Sequence, residues 1–386
     1  MEDGTGLLRD REGLNSWSKR KKLNTVAIST LLLFFLLPTS GRAAEPARTF
    51  PKIMTYNIYQ GTELVDVVNA TTPEEFIVGA ATDYGHQVSN NFPERAVAIA
   101  SEVAANKPDL IGLQEVALWR TGPHTTPPTA AGTVTYDYLQ ILLNALSGRG
   151  LNYRVLVARN NFDVQGPALF ATGLVDIRLT DRSAILVKSS DLTLPGLSFR
   201  NIQSQDYATN TVLTTLAGPV TLLGGWASVD VSVWGVSVAR FVSTHLDGFS
   251  TLVNNAQALE LVAGPLNTRI PEVIMSGDFN AVPGSASYDA LTGIGFTDSW
   301  AALHATDVGY TCCQVYQNGG IVDVINNPVS NLITRVDYVL ARGPIQASDA
   351  VLVGADPSTR TASGLWPSDH AGLVVTIGML QRSSRD

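Results

Sequence analysis

The chain has 386 residues, 45% hydrophobic and 16% charged, enough apolar material for a large core and too little charge for a disordered chain. A net charge of −8 argues against a basic clamp on nucleic-acid phosphates. Two cysteines, adjacent at Cys312 and Cys313, exclude a disulfide framework and a four-cysteine zinc site.

Residues 1–44 read as a targeting segment. The basic cluster Lys19-Arg20-Lys21-Lys22 precedes an apolar run, Leu23–Leu37, which Pro38 stops and small residues follow. As a helix that run is roughly 22 Å long at about 1.5 Å per residue, short of the roughly 30 Å hydrocarbon core. The reading is a cleaved secretory signal, with an uncleaved N-terminal anchor as the alternative. The segment carries seven basic and four acidic residues, so the remainder has 19 and 30 and a net charge of −11. Residues 45–386 are expected to form one domain that is secreted, periplasmic or held at the cell surface.

Short apolar runs and helical stretches alternate along that domain. Residues 52–58 predict a strand. Apolar spacing predicts a helix over 92–106, ending before Pro108. Residues 109–113 predict a buried strand, and 120–135, rich in Thr, Pro and Gly, a surface loop. A helix is expected over 136–146, and strands at 153–158, 183–187, 222–234 and 236–244. Residues 254–263 predict a helix, and 273–275, 335–340 and 372–377 further strands. This mixture, with no repeat and no linker, argues for one mixed α/β domain of two packed sheets. Adjacent Cα atoms lie about 3.8 Å apart, below the usual disulfide range of about 4.4–6.8 Å. A strained vicinal disulfide and two free thiols therefore both stand as readings of Cys312-Cys313.

Polar residues cluster at the strand ends: Asn57, Gln114-Glu115, His245, Asp278 and Asn280, and Asp369-His370, with Asp337 inside a further strand. Singly, most would pass for caps or turn formers. Asp337, between Val336 and Tyr338, most needs a partner. Together they hold carboxylate and amide oxygens for a hard cation, two imidazoles and an Asp–His pair, the inventory for metal-assisted attack of water on phosphorus.

The blocks MTYNI, DLIGLQEV, STHLDG, MSGDFNA, RVDYVLA and SDHAGL, in this order, resemble the endonuclease/exonuclease/phosphatase superfamily over roughly residues 51–378. The resemblance implies a four-layer α/β sandwich, two mixed β-sheets face to face with helices outside. It implies Mg²⁺ or Mn²⁺ as cofactor, with Glu115 as the main ligand, Asn57 supporting it and Asp369 nearby. His245 would hydrogen-bond a phosphate oxygen, Asp278 would orient or deprotonate the water, and Asn280 would donate to phosphate. His370 would pair with Asp337. Arg182 stands where many members carry a basic residue reaching toward substrate, and a surface arginine is the competing reading. Tyr59 occupies the position where abasic-site endonucleases carry an acid, which disfavours that subfamily.

The expected substrate is a phosphate ester: a nucleic acid, a phospholipid head group or an inositol phosphate. A phospholipase would need an exposed apolar hairpin for membrane contact, for which 192–197 and 319–322 are weak candidates. Trp226 and Trp366 read as core residues rather than groove walls. No protein partner is implied. A catalytically dead binding module is the competing class, and the complete polar set argues against it.

Overall fold

The computed structural model describes residues 51–315, 317, 318, 321, 322 and 325–379. The leader reading for 1–44 lies outside them, as do Gly319 and Gly320. The strands run β1 Lys52–Asn57, β2 Leu110–Gln114, β3 Leu118–Pro123, β4 Thr133–Asp137, β5 Tyr153–Phe170, β6 Gly173–Lys188, β7 Leu197–Asp206, β8 Thr211–Thr215, β9 Gly218–Leu222, β10 Gly225–Val233, β11 Val236–His245, β12 Glu272–Asp278, β13 Thr297–Asp298, β14 Gln317–Asn318, β15 Ile321–Val322, β16 Asp337–Arg342, β17 Ile345–Val353 and β18 Gly372–Met379. The helices are α1 Val65–Val68, α2 Pro73–Ser89, α3 Phe92–Asn106, α4 Tyr138–Gly148, α5 Thr251–Ala263, α6 Ala286–Thr292 and α7 Ser299–Leu303.

One sheet has the order β17-β18-β1-β2-β6-β3-β4, with β5 also paired to β6; the other has the order β13-β16-β12-β11-β10-β7. Side-chain alternation makes four layers of them. On β1, Ile53 joins the core between the sheets, while Met54 and Tyr56 pack outward on Phe92, Ile99 and Val103 of α3. On β12, Ile274 faces inward against that same inter-sheet core, and Val273 and Met275 face outward toward Ala258 and Leu261 of α5. The fold is the four-layer α/β sandwich.

Helix ends follow local chemistry. The Thr72 hydroxyl caps α2 by accepting from the Glu75 amide at 3.2 Å, with Pro73 at the first helical turn. Helix α3 stops at Lys107, whose left-handed conformation leads into Pro108. Several expectations fell short. The stretch 120–135 is a loop at 124–132, but its two ends belong to an edge hairpin of β3 and β4. The strands expected at 153–158 and 183–187 are the inner ends of a long ribbon, β5–β6, whose polar outer residues hid its extension. Residues 191–193 form a 3-10 turn, not the base of a hairpin. Trp226 and Trp366, by contrast, are buried in the core as expected. Cys312 and Cys313 are paired with each other as a disulfide.

Candidate active site

Each sheet contains one parallel strand pair, and both pairs end at the same edge of the sandwich. In the first, Asn57 of β1 stands beside Gln114 of β2; in the second, His245 of β11 stands beside Asp278 of β12, which faces Asp337 of β16. On the inward faces, composition changes toward this edge. Ile53, Thr55 and Asn57 succeed one another on β1, and Ile274, Ser276 and Asp278 on β12. Two-residue periodicity thus carries the apolar inter-sheet core into a polar end without breaking either strand.

Asn57 ties the two sheets together. Its amide Nδ2 donates to Glu115 Oε1 at 2.8 Å and to Asp278 Oδ2 at 3.1 Å, and stands 3.5 Å from His370 Nε2. Its own Oδ1 accepts from the Tyr59 amide at 3.0 Å, so the side chain cannot swing away. The Gln60 amide donates to Glu115 Oε2 at 2.8 Å. Both Glu115 oxygens are therefore oriented.

Asp278 is the centre of the second half. Oδ1 accepts from the Asn280 amide at 2.9 Å, while Oδ2 lies 3.5 Å from His245 Nε2 and 3.8 Å from His370 Nε2. Asn280 Nδ2 donates to the Leu246 carbonyl at 3.0 Å and is 3.2 Å from His245 Nε2. His370 Nδ1 is 2.8 Å from Asp337 Oδ2, and the Thr311 hydroxyl accepts from the Asp337 amide at 3.1 Å. Tyr59, Glu115 and Asn280 all hold positive φ, at 56°, 56° and 46°. Such conformations cost about 1–3 kcal/mol each and concentrate at functional sites. Gly277, at φ +152°, is glycine because a Cβ there would collide with the Thr244 carbonyl on the neighbouring strand.

The electrostatics follow from burial and crowding. Burial alone would strip protons from His370, yet Asp337, Asp369 and Asp278 hold its pKa well above the usual imidazole value. His245 shifts the same way: burial opposes it, and Asp278, Glu115 and Asp181 outweigh the opposition. Desolvation pushes the Asp369 carboxyl up to about 7, with His370 opposing and Glu115 adding. Glu63 is exposed, and repulsion from Asp369 and Glu115 raises its carboxyl pKa.

This crowding of carboxylates around Glu115 is what a divalent cation needs, and the donors are hard oxygens suited to Mg²⁺ or Mn²⁺. Asp278, Asp337 and His370 also place donor atoms within 4.8 Å of one another. There, however, His370 Nδ1 is already engaged by Asp337, which makes a proton-holding pair rather than a cation cage. The sulfurs of Cys312 and Cys313 lie equally near His370, but as a disulfide they offer no thiolate.

Arg182 departs from expectation. It is neither a surface arginine nor directed at substrate: Nε donates to the Val116 carbonyl at 2.8 Å, and Nη2 to the Ala117 carbonyl at 3.2 Å and to Asp137 at 2.5 Å. Committed to these three partners, it braces the segment after Glu115 from behind.

Three further residues escaped the sequence. Arg95 of α3 is fully buried and donates to four carbonyls, those of Asn90, Ile58, Tyr59 and Pro367. It therefore pins the turn after Asn57 and the approach to Asp369-His370 at once. Asp181 of β6 is buried, with one oxygen lacking any hydrogen bond, in a pocket that it shares with His245. Burial pushes its carboxyl up to about 6, against the pull of His245. The third is Glu63. No motif marked any of them; Asp181, on a strand beside Arg182, carried the one usable signal.

Oriented carboxylates fit for a cation, two imidazoles whose pKa values neighbouring carboxylates raise, and an amide, at one edge of a four-layer sandwich, define a metal-dependent phosphate-ester hydrolase. The model of the endonuclease/exonuclease/phosphatase family matches residues 54–370, and the chain belongs to that family. Its members are metal-dependent hydrolases of phosphate esters, nucleases and phosphatases among them. Two solved structures of family proteins are similar in fold. One, from Bacteroides thetaiotaomicron, is 15% identical with a TM-score of 0.53 and covers 85% of this chain and 97% of its own. The other, from Leptotrichia buccalis C-1013-b, is 15% identical with a TM-score of 0.50 and covers 85% and 100%. Among curated proteins no match is found.

Proposed function

We propose that this protein is an exported, Mg²⁺-dependent phosphoesterase in which Asp278 activates water for direct attack on a phosphodiester or phosphomonoester. The observation that carries the reading is Asp278 Oδ2, placed between two histidine Nε2 atoms at 3.5 and 3.8 Å and tied through Asn57 to Glu115. Glu115, with Asn57 and Asp369 beside it, would hold the cation, which when bound would supply Lewis-acid charge for a phosphate oxygen. Asp278 takes the water's proton. His245 and His370, kept protonated by the carboxylates around them, donate to phosphate oxygens as negative charge builds there. Asp337 fixes the His370 ring, and the Asn280 amide donates to a phosphate oxygen.

Export rests on the basic cluster and apolar run of residues 1–44, with 45–386 as the single domain released or displayed. The test is hydrolysis of bis(4-nitrophenyl) phosphate by the full chain with Mg²⁺, with EDTA, and after Glu115→Ala. The reading expects turnover only in the first condition. Activity indifferent to both EDTA and the substitution contradicts it.

A further inference from the structure

We propose that the organic group of the natural ester is an extended alkyl chain, seated in an apolar pocket that adjoins the phosphate site. The inference rests on the phosphoesterase reading above. A pocket of about 430 Å³ opens beside His245 and is walled by Asn161, Asp181 and Phe249. A second pocket, about 760 Å³ including its mouth, lies next to it, and Phe162 and Leu222 line both.

Strand β6 gives the direction. Asp181 faces the pocket at His245, and Leu179 and Ile177, two and four residues back, line the second. At about 3.3 Å per residue, the stripe runs roughly 13 Å from the catalytic pocket. The opposite wall is the β8–β9 hairpin, a two-stranded sheet of its own, which turns Leu213, Val220 and Leu222 toward the pocket. A lone two-stranded hairpin is marginal in water, so this contact is what holds it.

The polar side chains in the wall are spent elsewhere. Asp83 accepts from the Thr62 hydroxyl and the Val67 amide. Gln165 bonds to Ala131, Thr129 and Asp176, and the Thr215 hydroxyl to the Gly218 carbonyl. Asp181, with its one unpaired oxygen, lines the first pocket and not the second, so inside the second pocket a sugar or a base would find no free side-chain partner and would lose hydrogen bonds on entry. An alkyl chain loses none. Phe249, 66% exposed where the catalytic pocket meets solvent, extends the apolar surface to the entrance.

The experiment compares two diesters with Mg²⁺, 4-nitrophenyl methyl phosphate and 4-nitrophenyl octyl phosphate. In each, water forms the new P–O bond, the P–O bond to the aryl group breaks, 4-nitrophenolate leaves, and an alkyl phosphate remains. The octyl ester is expected to have kcat/KM at least about 30-fold higher, the effect of burying two to three methylenes at roughly 0.8 kcal/mol each. Val220→Glu should bring that ratio below about 3-fold and leave the methyl ester's rate unchanged, which also reports a folded protein. Calorimetric binding, independent of turnover, should show octyl phosphate at least about 30-fold tighter than inorganic phosphate in the wild type only. Equal rates for the two esters, a preference that survives Val220→Glu, or faster cleavage of a single-stranded oligonucleotide than of the octyl ester overturns the proposal. If neither ester is hydrolysed the phosphoesterase reading fails, and the binding measurement still decides the pocket.

Discussion

Arg95→Met removes the most connected side chain beneath the active site. The guanidinium is fully buried and bonds the carbonyls of Asn90 at 3.0 Å, Ile58 at 2.9 Å, Pro367 at 3.0 Å and Tyr59 at 3.0 Å. Methionine fills a similar volume and serves none of them. Each buried carbonyl left unpaired costs about 1–3 kcal/mol. Water entry will recover part of that, so a loss of at least about 4 kcal/mol is expected from four such groups. Arg95 also stacks its charge over the Phe92 ring at 4.9 Å, and Met forfeits that contact as well. Urea unfolding followed by tryptophan fluorescence measures the loss. Arg95→Lys should fall between wild type and Met in stability, since an ammonium keeps the charge but cannot span all four carbonyls. Its kcat/KM should still fall at least about 10-fold, because the turns bearing Tyr59 and Ser368 would no longer be held in register. A destabilisation below about 1 kcal/mol for Arg95→Met would refute the reasoning.

Other consequences are equally open to measurement. Asp337→Asn should lower kcat at least about 100-fold. Because Asp337 helps raise the His370 pKa, the alkaline limb of the pH–rate profile should also move to lower pH; an unmoved limb contradicts the pairing. Arg182→Met should raise the Mg²⁺ concentration for half-maximal activity about 10- to 100-fold through the loosened Glu115 segment, whereas a substrate-binding arginine would raise KM at saturating Mg²⁺ instead. Burial pushes Glu102 up to about 8 from 4.5, so folding favours its neutral form, and its presence lowers stability progressively as pH rises from about 4.5 to about 8. Glu102→Gln should therefore raise Tm at pH 8 and leave it nearly unchanged at pH 4; equal shifts at both pH values contradict the assignment.

The sequence revealed the parts of this protein that obey short-range rules. Helix α3 was legible to the residue because Phe92, Ala96, Ile99 and Val103 repeat at helical spacing, with Pro93 in the first turn and Pro108 just past the end. The inner strands were legible as apolar runs, and the polar residues that end them stood out against those runs. Helix α2 was not legible, since its buried face mixes Phe76 with Gly79, Asp83 and Gln87, which blurs the apolar period. The β8–β9 hairpin was missed because threonines alternate with its apolar residues on a ribbon that belongs to neither large sheet. At the site, residues acting through strand ends were found and those acting across the fold were not. Arg95 meets Pro367 across 272 positions of chain, and nothing local to either residue announces that contact. Arg182 was noticed for its charge, but its role depends on where Val116, Ala117 and Asp137 lie around it.

Everything converges on Asp278 as the group that takes the proton from water. The most direct measurement is turnover of bis(4-nitrophenyl) phosphate by Asp278→Asn at saturating Mg²⁺, alongside calorimetric Mg²⁺ binding by the same variant. Asparagine keeps the shape and can still accept the Asn280 amide bond, but it cannot accept a proton. The account predicts a loss in kcat of at least about 1,000-fold with cation binding retained through Glu115. Turnover within about 10-fold of wild type would contradict it.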